Sequence, residues 1–218
     1  MKAFVITVKN IEQSVQAAQR CIKSGKDHAL PIEMYYGFTP DDNPENILEE
    51  KGVSLKGFQN NQFSQYLRMV AAFTSHRSLW EKCANQFDNF VIFEHDCVLD
   101  QALPSTVTYT GEHDIISFGA PSYGKYNTPT GIGVVPLTSK QYFPGAHCYM
   151  LTPKGAKEAL KKAETNAAPT DIFFNTENFP NIKEFYPWPA RVVENFTTIQ
   201  MERGCLAKHS YGEGYRIL

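Results

Sequence analysis

Residues 3–36, AFVITVKNIEQSVQAAQRCIKSGKDHALPIEMYY, decide the class of fold. The segment begins with Ala3-Phe-Val-Ile-Thr-Val8, a short uninterrupted apolar run rich in β-branched residues, which is typical of a buried strand. Apolar residues then recur at helical spacing between positions 11 and 22, and Ile32 to Tyr36 resembles a second strand. A β-α-β unit of this kind favours a parallel sheet that is covered by helices.

Residues that favour helix ends mark two of the expected helices. Asn10 is a candidate cap for the first helix, and Gly25 is a candidate stop. Thr152 and Pro153 predict the start of another helix, because Thr is a good cap and Pro fits the first helical position.

The remaining elements follow from the same patterns. Residues 62–87 form the longest helical stretch, and Phe90 to Phe93 forms a short, wholly apolar strand. Residues 114–118 and 142–152 are expected to be extended. Residues 120–136 are rich in Gly, Pro, Tyr and Thr and are expected to form a loop over a site, since long loops in compact domains are often functional.

Composition limits the function classes. The 21 Lys and Arg against 23 Asp and Glu give a net charge of −2, which argues against a globally basic nucleic-acid-binding surface. The apolar runs are too short to span a bilayer, and the N-terminus shows no signal-peptide pattern, so a cytoplasmic protein is expected. The five cysteines form no CxxC pair, so reduced and mostly buried thiols are expected.

The triplet Glu94-His95-Asp96 follows the apolar segment directly. Because side chains alternate along an extended segment, Glu94 and Asp96 are expected to point one way and His95 the other. Two carboxylates at the carboxyl end of a sheet strand suit a hard divalent cation that bridges diphosphate oxygens. The alternative is a solvated strand end whose charges face water, since short acidic triplets are common.

Other motifs do not compete with this triplet. Gly131-Ile-Gly133 lacks the third glycine and the following helix of a dinucleotide fingerprint, and the sequence contains neither a P-loop nor a GxSxG elbow. Ser75 and His76 are adjacent, and adjacent side chains on a helix diverge by about 100°. They are therefore a poor nucleophile–base pair.

Five blocks follow one another in a fixed order: Ala3-Phe-Val-Ile-Thr-Val8, Ala72-Phe-Thr-Ser-His-Arg-Ser-Leu-Trp80, Phe90-Val-Ile-Phe-Glu-His-Asp96, Pro144-Gly-Ala-His-Cys-Tyr-Met-Leu-Thr-Pro-Lys-Gly-Ala156 and Pro169-Thr-Asp171. This ordered set resembles glycosyltransferase family 25, which contains lipooligosaccharide glycosyltransferases and collagen galactosyltransferases. The resemblance implies a single GT-A-like α/β domain over residues 1–218. Its central, mostly parallel sheet would carry helices on both faces, and a glycine-rich tail would begin at about residue 203.

The resemblance also implies a reaction. A sugar would move from a nucleotide-sugar donor to an acceptor hydroxyl with inversion at the anomeric carbon. Mn²⁺ or Mg²⁺, held by Asp96 with support from Glu94, would neutralise the leaving diphosphate. His209 is a further candidate ligand, with an exposed tail residue as the alternative.

Inversion requires a carboxylate base for the acceptor hydroxyl. Asp171 is the first candidate because it lies in the Pro-X-Asp match, and Asp114 is the second. A helix cap on the following aromatic segment is an equal alternative for Asp171.

The resemblance assigns donor binding to residues of four blocks, with packing or burial as the alternative for the histidines outside the triplet. These residues are Thr7, Val8, Ser75, His76, Glu94, His95 and His147. Aromatic side chains available for stacking on a sugar or a base are Tyr123, Tyr126, Tyr142 and Trp188.

The sequence departs from the family at His95, where the family has an acidic residue. A carbohydrate- or nucleotide-sugar-binding protein without turnover is therefore the alternative function, and a metal-dependent phosphoesterase is a remoter one. A glycan is the first expectation for the acceptor. A hydroxymethylated DNA base is the second, and it predicts a basic groove formed by Lys125, Lys140, Lys154 and Lys157.

Overall fold

The structure is a computed structural model that describes residues 1–59, 64–109, 112–193, 196–201 and 216–218. It opens with strand β1 (Lys2–Thr7), helix α1 (Glu12–Asp27) and strand β2 (Glu33–Tyr36). β1 and β2 are parallel, with Phe4 opposite Glu33. The β-α-β unit predicted from residues 3–36 is confirmed.

The chain continues with five helices and nine strands over the described residues. They are α2 (Pro44–Glu50), α3 (Tyr66–Ala84), β3 (Phe90–Glu94), β4 (Cys97–Leu99), α4 (Ser105–Thr108), β5 (Ile115–Ser117), β6 (Gly133–Pro136), β7 (Cys148–Leu151), α5 (Pro153–Asn166), α6 (Thr170–Phe173), β8 (Lys183–Tyr186), β9 (Ala190–Val192), β10 (Phe196–Thr197) and β11 (Arg216–Ile217). Short 3₁₀ turns cover Pro40–Asp42 and Lys56–Phe58.

Seven strands form the central sheet in the order β2-β1-β3-β7-β5-β8-β6. β7 runs antiparallel to both of its neighbours, and β6 runs antiparallel to β8. The other five strands share one direction, so the sheet is mostly parallel, as expected. Since β7 is reversed, its amino end lies beside the carboxyl end of β3, with Cys148 opposite Phe93.

Helices cover both faces of this sheet, which confirms the predicted α/β class. On one face, α3 and α5 pack over Phe90, Ile92 and Leu151. The small residues Ala156 and Ala159 of α5 are fully buried there. On the other face, Ala18 and Cys21 of α1 pack against a second apolar cluster. The two ribbons β4–β9 and β10–β11 lie outside the main sheet.

Two of the predicted helix ends are wrong. α1 starts after Ile11, which provides no side-chain cap, and it continues past the buried Gly25 to Asp27. Gly25 is needed for packing instead, because a Cβ there would lie 2.5 Å from Ile32 Cδ1. The start of α5 is confirmed, since the Thr152 hydroxyl accepts a hydrogen bond from the Gly155 amide at 3.0 Å.

Two broad expectations from composition can be compared with the described residues. Cys21, Cys83, Cys97 and Cys148 are free and buried, as predicted, whereas Cys205 lies outside the described residues. No helix in the described part of the chain is both long and apolar enough to cross a membrane.

Candidate active site

A cavity of about 480 Å³ opens at the carboxyl ends of β1 and β3 and the amino end of β7. Parallel α/β sheets bind their ligands in this crevice. The cavity collects most of the residues that the sequence singled out. These are Val8, Ser75, His76, Glu94, His95, Asp96, His147 and Asp171.

Glu94, the last residue of β3, is held by a buried polar chain. His76 Nε2 lies 3.3 Å from Glu94 Oε1, and His76 Nδ1 lies 2.8 Å from the Tyr149 hydroxyl. Trp80 Nε1 donates to the same hydroxyl at 2.9 Å. Burial favours the neutral acid, but the hydrogen bond and charge of His76 outweigh it and lower the pKa of Glu94. Glu94 is therefore an anchored carboxylate at the rim of the sheet.

The other two residues of the triplet lie in a turn, because β3 ends at Glu94 and β4 begins at Cys97. The strict alternation expected for an extended triplet does not apply to a turn, and all three residues line the cavity. His95 Nδ1 lies 3.2 Å from Ser14 Oγ, and its ring stacks on Phe196 with centroids 5.5 Å apart. His95 is thus built into the cavity wall.

Thr7 lies behind this wall rather than in it. Its side chain is fully buried, and Thr7 Oγ1 lies 2.9 Å from Ser14 Oγ. Ser14 also accepts a hydrogen bond from the Val8 amide at 2.8 Å. Ser14 therefore ties the end of β1 to the turn that carries His95, a role that the sequence analysis missed because the two segments are far apart in the chain.

His147 fills a slot between two glycines. A Cβ at Gly119 would lie 2.3 Å from His147 Nε2, and a Cβ at Gly145 would lie 2.4 Å from Nδ1. The ring is buried, and its Nε2 has no hydrogen-bond partner among the described residues. Burial lowers the pKa of His147 to about 4, although the charge on Glu94 opposes this. The imidazole is therefore neutral near pH 7.

Asp171 is the carboxylate on the α6 side of the cavity. Its Oδ2 accepts a hydrogen bond from the Tyr123 hydroxyl at 2.7 Å, and its Oδ1 accepts one from the Ile172 amide at 2.9 Å. Burial raises the pKa of Asp171, and the charge on Glu94 acts in the same direction. Asp171 lies within the first turn of α6, whose N-cap position is Pro169, so the capping alternative is wrong; the residue lines the cavity.

Ser75 shapes the rim opposite the triplet. Its hydroxyl donates to Ala71 O at 2.8 Å and accepts from the Phe38 amide at 2.8 Å. A Cβ at Gly37 would lie 2.7 Å from Ser75 Oγ, so the loop after β2 approaches α3 closely. Ser75 fixes this loop against the cavity.

Two predicted site residues lie elsewhere. Asp114 does not line the cavity; it accepts hydrogen bonds from Thr152 at 2.8 Å and from Lys154 at 2.6 Å. His209 lies outside the described residues. Asp114 joins the start of β5 to α5, so Asp171 is the base candidate that the fold brings to the cavity.

Arg68 is a cavity residue that the sequence analysis missed. It lies on α3, and its Nη1 donates to Thr198 O at 3.1 Å and to Leu218 O. These contacts link α3 to the β10–β11 ribbon. No local signal in the sequence identifies them, because the partners are more than a hundred residues away.

The donor set can be tested against the divalent cation that the resemblance implies. Among the described residues, no group of three or more His, Cys, Asp and Glu side chains is arranged to hold a metal ion. Glu94 and Asp96 supply two carboxylates at one cavity. Proteins commonly bind Mg²⁺ through one or two carboxylates together with substrate phosphates and water. Glu94 and Asp96 therefore fit a divalent cation that would also bind the diphosphate of a substrate.

The solved structures that are similar to this chain include three transferases. Mouse xyloside xylosyltransferase 1 gives a TM-score of 0.45 at 10% identity, with 83% of each chain covered. CTP:phosphocholine cytidylyltransferase from Streptococcus pneumoniae gives 0.41 at 11% identity, covering 88% of this chain and 92% of the other. A putative glucose-1-phosphate thymidylyltransferase from Bacillus anthracis gives 0.41 at 10% identity, covering 84% and 85%.

No protein-family model matches the chain, and no curated protein matches it in sequence. The resemblance to glycosyltransferase family 25 therefore stays a prediction. Structural similarities this low in both score and identity establish no function for this chain.

Proposed function

We propose that this protein is a glycosyltransferase that moves a sugar from a nucleotide-sugar donor to an acceptor hydroxyl with inversion at the anomeric carbon. One observation carries the proposal. A single cavity at the carboxyl edge of the sheet is lined by Glu94 and Asp96 and also by Asp171, which is held separately by Tyr123. The first two suit a cation and a diphosphate, and the third suits proton abstraction.

Asp171 is the proposed general base. It takes the proton from the acceptor hydroxyl, whose oxygen attacks the anomeric carbon on the face opposite the leaving group. The bond from that carbon to the phosphate oxygen breaks, and the nucleoside diphosphate leaves with the bonding electrons. A raised pKa makes a carboxylate a better base at neutral pH. Burial supplies that increase at Asp171.

Asp96 and Glu94 are the proposed holders of Mn²⁺ or Mg²⁺. When bound, the cation would supply charge neutralisation for the departing diphosphate. His76 keeps Glu94 ionised and in place through its 3.3 Å contact. The neutral His147 ring packs beside Glu94 without adding a charge to the site.

The test measures release of nucleoside diphosphate from a panel of nucleotide sugars, with and without Mn²⁺, by hydrolysis, in which water takes the sugar in place of the acceptor hydroxyl, and by transfer to added glycans. A thermal-shift screen of the same panel first identifies the donor, since a ligand that binds the native state raises the melting temperature. We expect Mn²⁺-dependent release, and we expect Asp96→Asn to abolish it. The control Asp27→Asn removes an exposed carboxylate at the end of α1 and should leave release unchanged.

Donor binding without release under any metal would contradict the proposal. That result would support the alternative of a nucleotide-sugar-binding protein. The proposed acceptor is a glycan or a modified DNA base. Lys154 is paired with Asp114 at 2.6 Å, and neither Lys154 nor Lys157 lines the cavity, so the four-lysine groove that a DNA acceptor predicts is not formed around it.

A further inference from the structure

A second cavity, of about 930 Å³, lies on the other side of the loop that holds Tyr123. Tyr123 lines the first cavity, and its neighbour Gly124 lines the second. The second cavity is lined by residues 124–127, residues 137–142 and Thr176. The loop between β5 and β6 thus contributes residues to both cavities.

The charge of this cavity is positive. Lys125 and Lys140 are its ionisable cations, and none of its lining residues is Asp or Glu. Lys140 Nζ donates to Tyr123 O at 2.5 Å and lies 4.0 Å from the Tyr123 ring centroid and 5.3 Å from that of Tyr142. None of these three partners is a carboxylate. Among the described residues Lys140 forms no ion pair, although the charge on Asp171 acts on it, so the lysine can pair with an anionic ligand.

The cavity also offers groups that recognise sugars. The Tyr126 side chain is 50% exposed, and its ring is fixed edge-to-face against Trp188 with centroids 5.9 Å apart. A fixed, half-exposed aromatic ring is a surface on which the apolar face of a sugar can stack. Asn127, Gln141 and Thr176 add amide and hydroxyl groups along the same wall.

The Tyr123 side chain lies between the second cavity and the proposed base, Asp171. Lys140 contacts Tyr123, and the Tyr123 hydroxyl donates to Asp171 at 2.7 Å. A molecule that binds over Lys140 is therefore placed next to the part of the first cavity where the acceptor hydroxyl would lose its proton.

We infer that the second cavity binds the acceptor and that this acceptor is an anionic saccharide, carrying a phosphate or a carboxylate that pairs with Lys125 and Lys140. The inference rests on the proposed transferase function. A saccharide is favoured over DNA because only two of the four lysines that a DNA groove would need, Lys125 and Lys140, line this aromatic-bearing cavity. Lys154 and Lys157 lie apart from it on α5, and the chain carries a net charge of −2.

The experiment is a protein-observed NMR titration with three probes, each with and without UDP. The probes are glucose 6-phosphate, the neutral disaccharide lactose and a short DNA duplex. We expect glucose 6-phosphate to bind more tightly than lactose and the duplex. Lys140→Gln and Lys125→Gln should each weaken its binding about tenfold, the loss typical of one charge-assisted hydrogen bond.

The matched control is Lys157→Gln, which removes an exposed lysine of α5 and should leave binding unchanged. Lys125 is exposed, so its variant remains informative even if Lys140→Gln fails to fold. Lactose binding as well as glucose 6-phosphate, DNA binding more tightly than either, or no probe binding at all would each overturn the inference. Weaker glucose 6-phosphate binding in the Lys157→Gln control alone would also overturn it.

These titrations need no turnover, so the two proposals fail separately. If nucleoside diphosphate release fails but the lysine-dependent binding holds, the second cavity stands and the proposed reaction falls. If release holds but lysine-dependent binding is absent, only the acceptor assignment is overturned.

Discussion

At the scale of single residues, Asp171 and Tyr123 form the pair on which the proposed chemistry depends. The hydrogen bond from Tyr123 stabilises the ionised carboxylate, while burial destabilises it, and burial prevails. The raised pKa makes the Asp171 carboxylate basic enough to accept a proton. The hydrogen bond from Tyr123 limits this increase in pKa, so the carboxylate stays ionised down to a lower pH.

Asp171→Asn should reduce sugar transfer at least about a hundredfold, the low end of what a general base contributes. Donor binding should persist, because the donor is assigned to Glu94, Asp96 and their neighbours. Transfer rates and thermal shift with donor measure the two effects. Unchanged transfer in the variant would remove Asp171 from the mechanism.

Tyr123→Phe should move the acid limb of the transfer profile to higher pH. The active form of Asp171 is ionised, so activity falls as pH drops through its pKa, and loss of a hydrogen bond to that form raises the pKa further. Phenylalanine keeps the ring under Lys140. Tyr109→Phe, at an exposed tyrosine outside both cavities, is the control and should leave the profile in place.

At the scale of elements, the glycines around His147 set how closely the loops after β5 and before β7 approach each other. Gly119 and Gly145 each leave room for the imidazole where a methyl group would collide with it. Gly145 also has φ +139°, a conformation that favours glycine. The loop after β5, the loop before β7 and the imidazole of His147 therefore form this slot together.

Gly119→Ala should lower the free energy of unfolding by about 1–3 kcal/mol, the usual cost of overpacking a buried site. The double variant Gly119→Ala/His147→Ala should show a smaller loss from the glycine change, because the colliding ring is gone. Urea unfolding of the four proteins in the cycle measures the coupling. Additive losses would show that His147 does not fill the slot.

The cap of α5 is the element boundary that the sequence predicted most directly. Thr152→Ala should cost about 1 kcal/mol of stability from the lost cap. Thr152→Ser keeps the hydroxyl and should lose less. Thr165→Ala, at an exposed position near the other end of the helix, is the control in the same urea experiment. Equal effects at positions 152 and 165 would contradict a capping role.

At the scale of the whole molecule, the neutral His147 links folding to pH. Its pKa in the folded protein is about 4 against an ordinary value of 6.5, so the unfolded chain binds this proton first. Stability should therefore fall as pH drops from about 6.5 to about 4, by at most about 3 kcal/mol from this residue. His147→Gln should remove that part of the dependence, as followed by urea unfolding across this range. A parallel pH dependence in both proteins would show that His147 is not buried as a neutral ring.

The sequence by itself determined the class of fold and the location of the acidic turn. Residues 3–36 encode a β-α-β unit through apolar periodicity, and Phe90 to Phe93 encode a buried strand that delivers Glu94 to the edge of the sheet. These features are local, so neighbouring residues are sufficient to define them. The helix ends at Asn10 and Gly25 were misread, because packing decided them instead of propensity.

Only the tertiary structure decided which distant side chains share the cavity. The reversed strand β7 places His147 beside Glu94, and the loop after β5 brings Tyr123 to Asp171 across 48 residues. The tertiary structure also separates the two base candidates, because Asp171 lines the cavity whereas Asp114 is paired with Lys154. Strand order and loop approach depend on contacts between segments far apart in the chain, and periodicity in one sequence carries no information about such contacts.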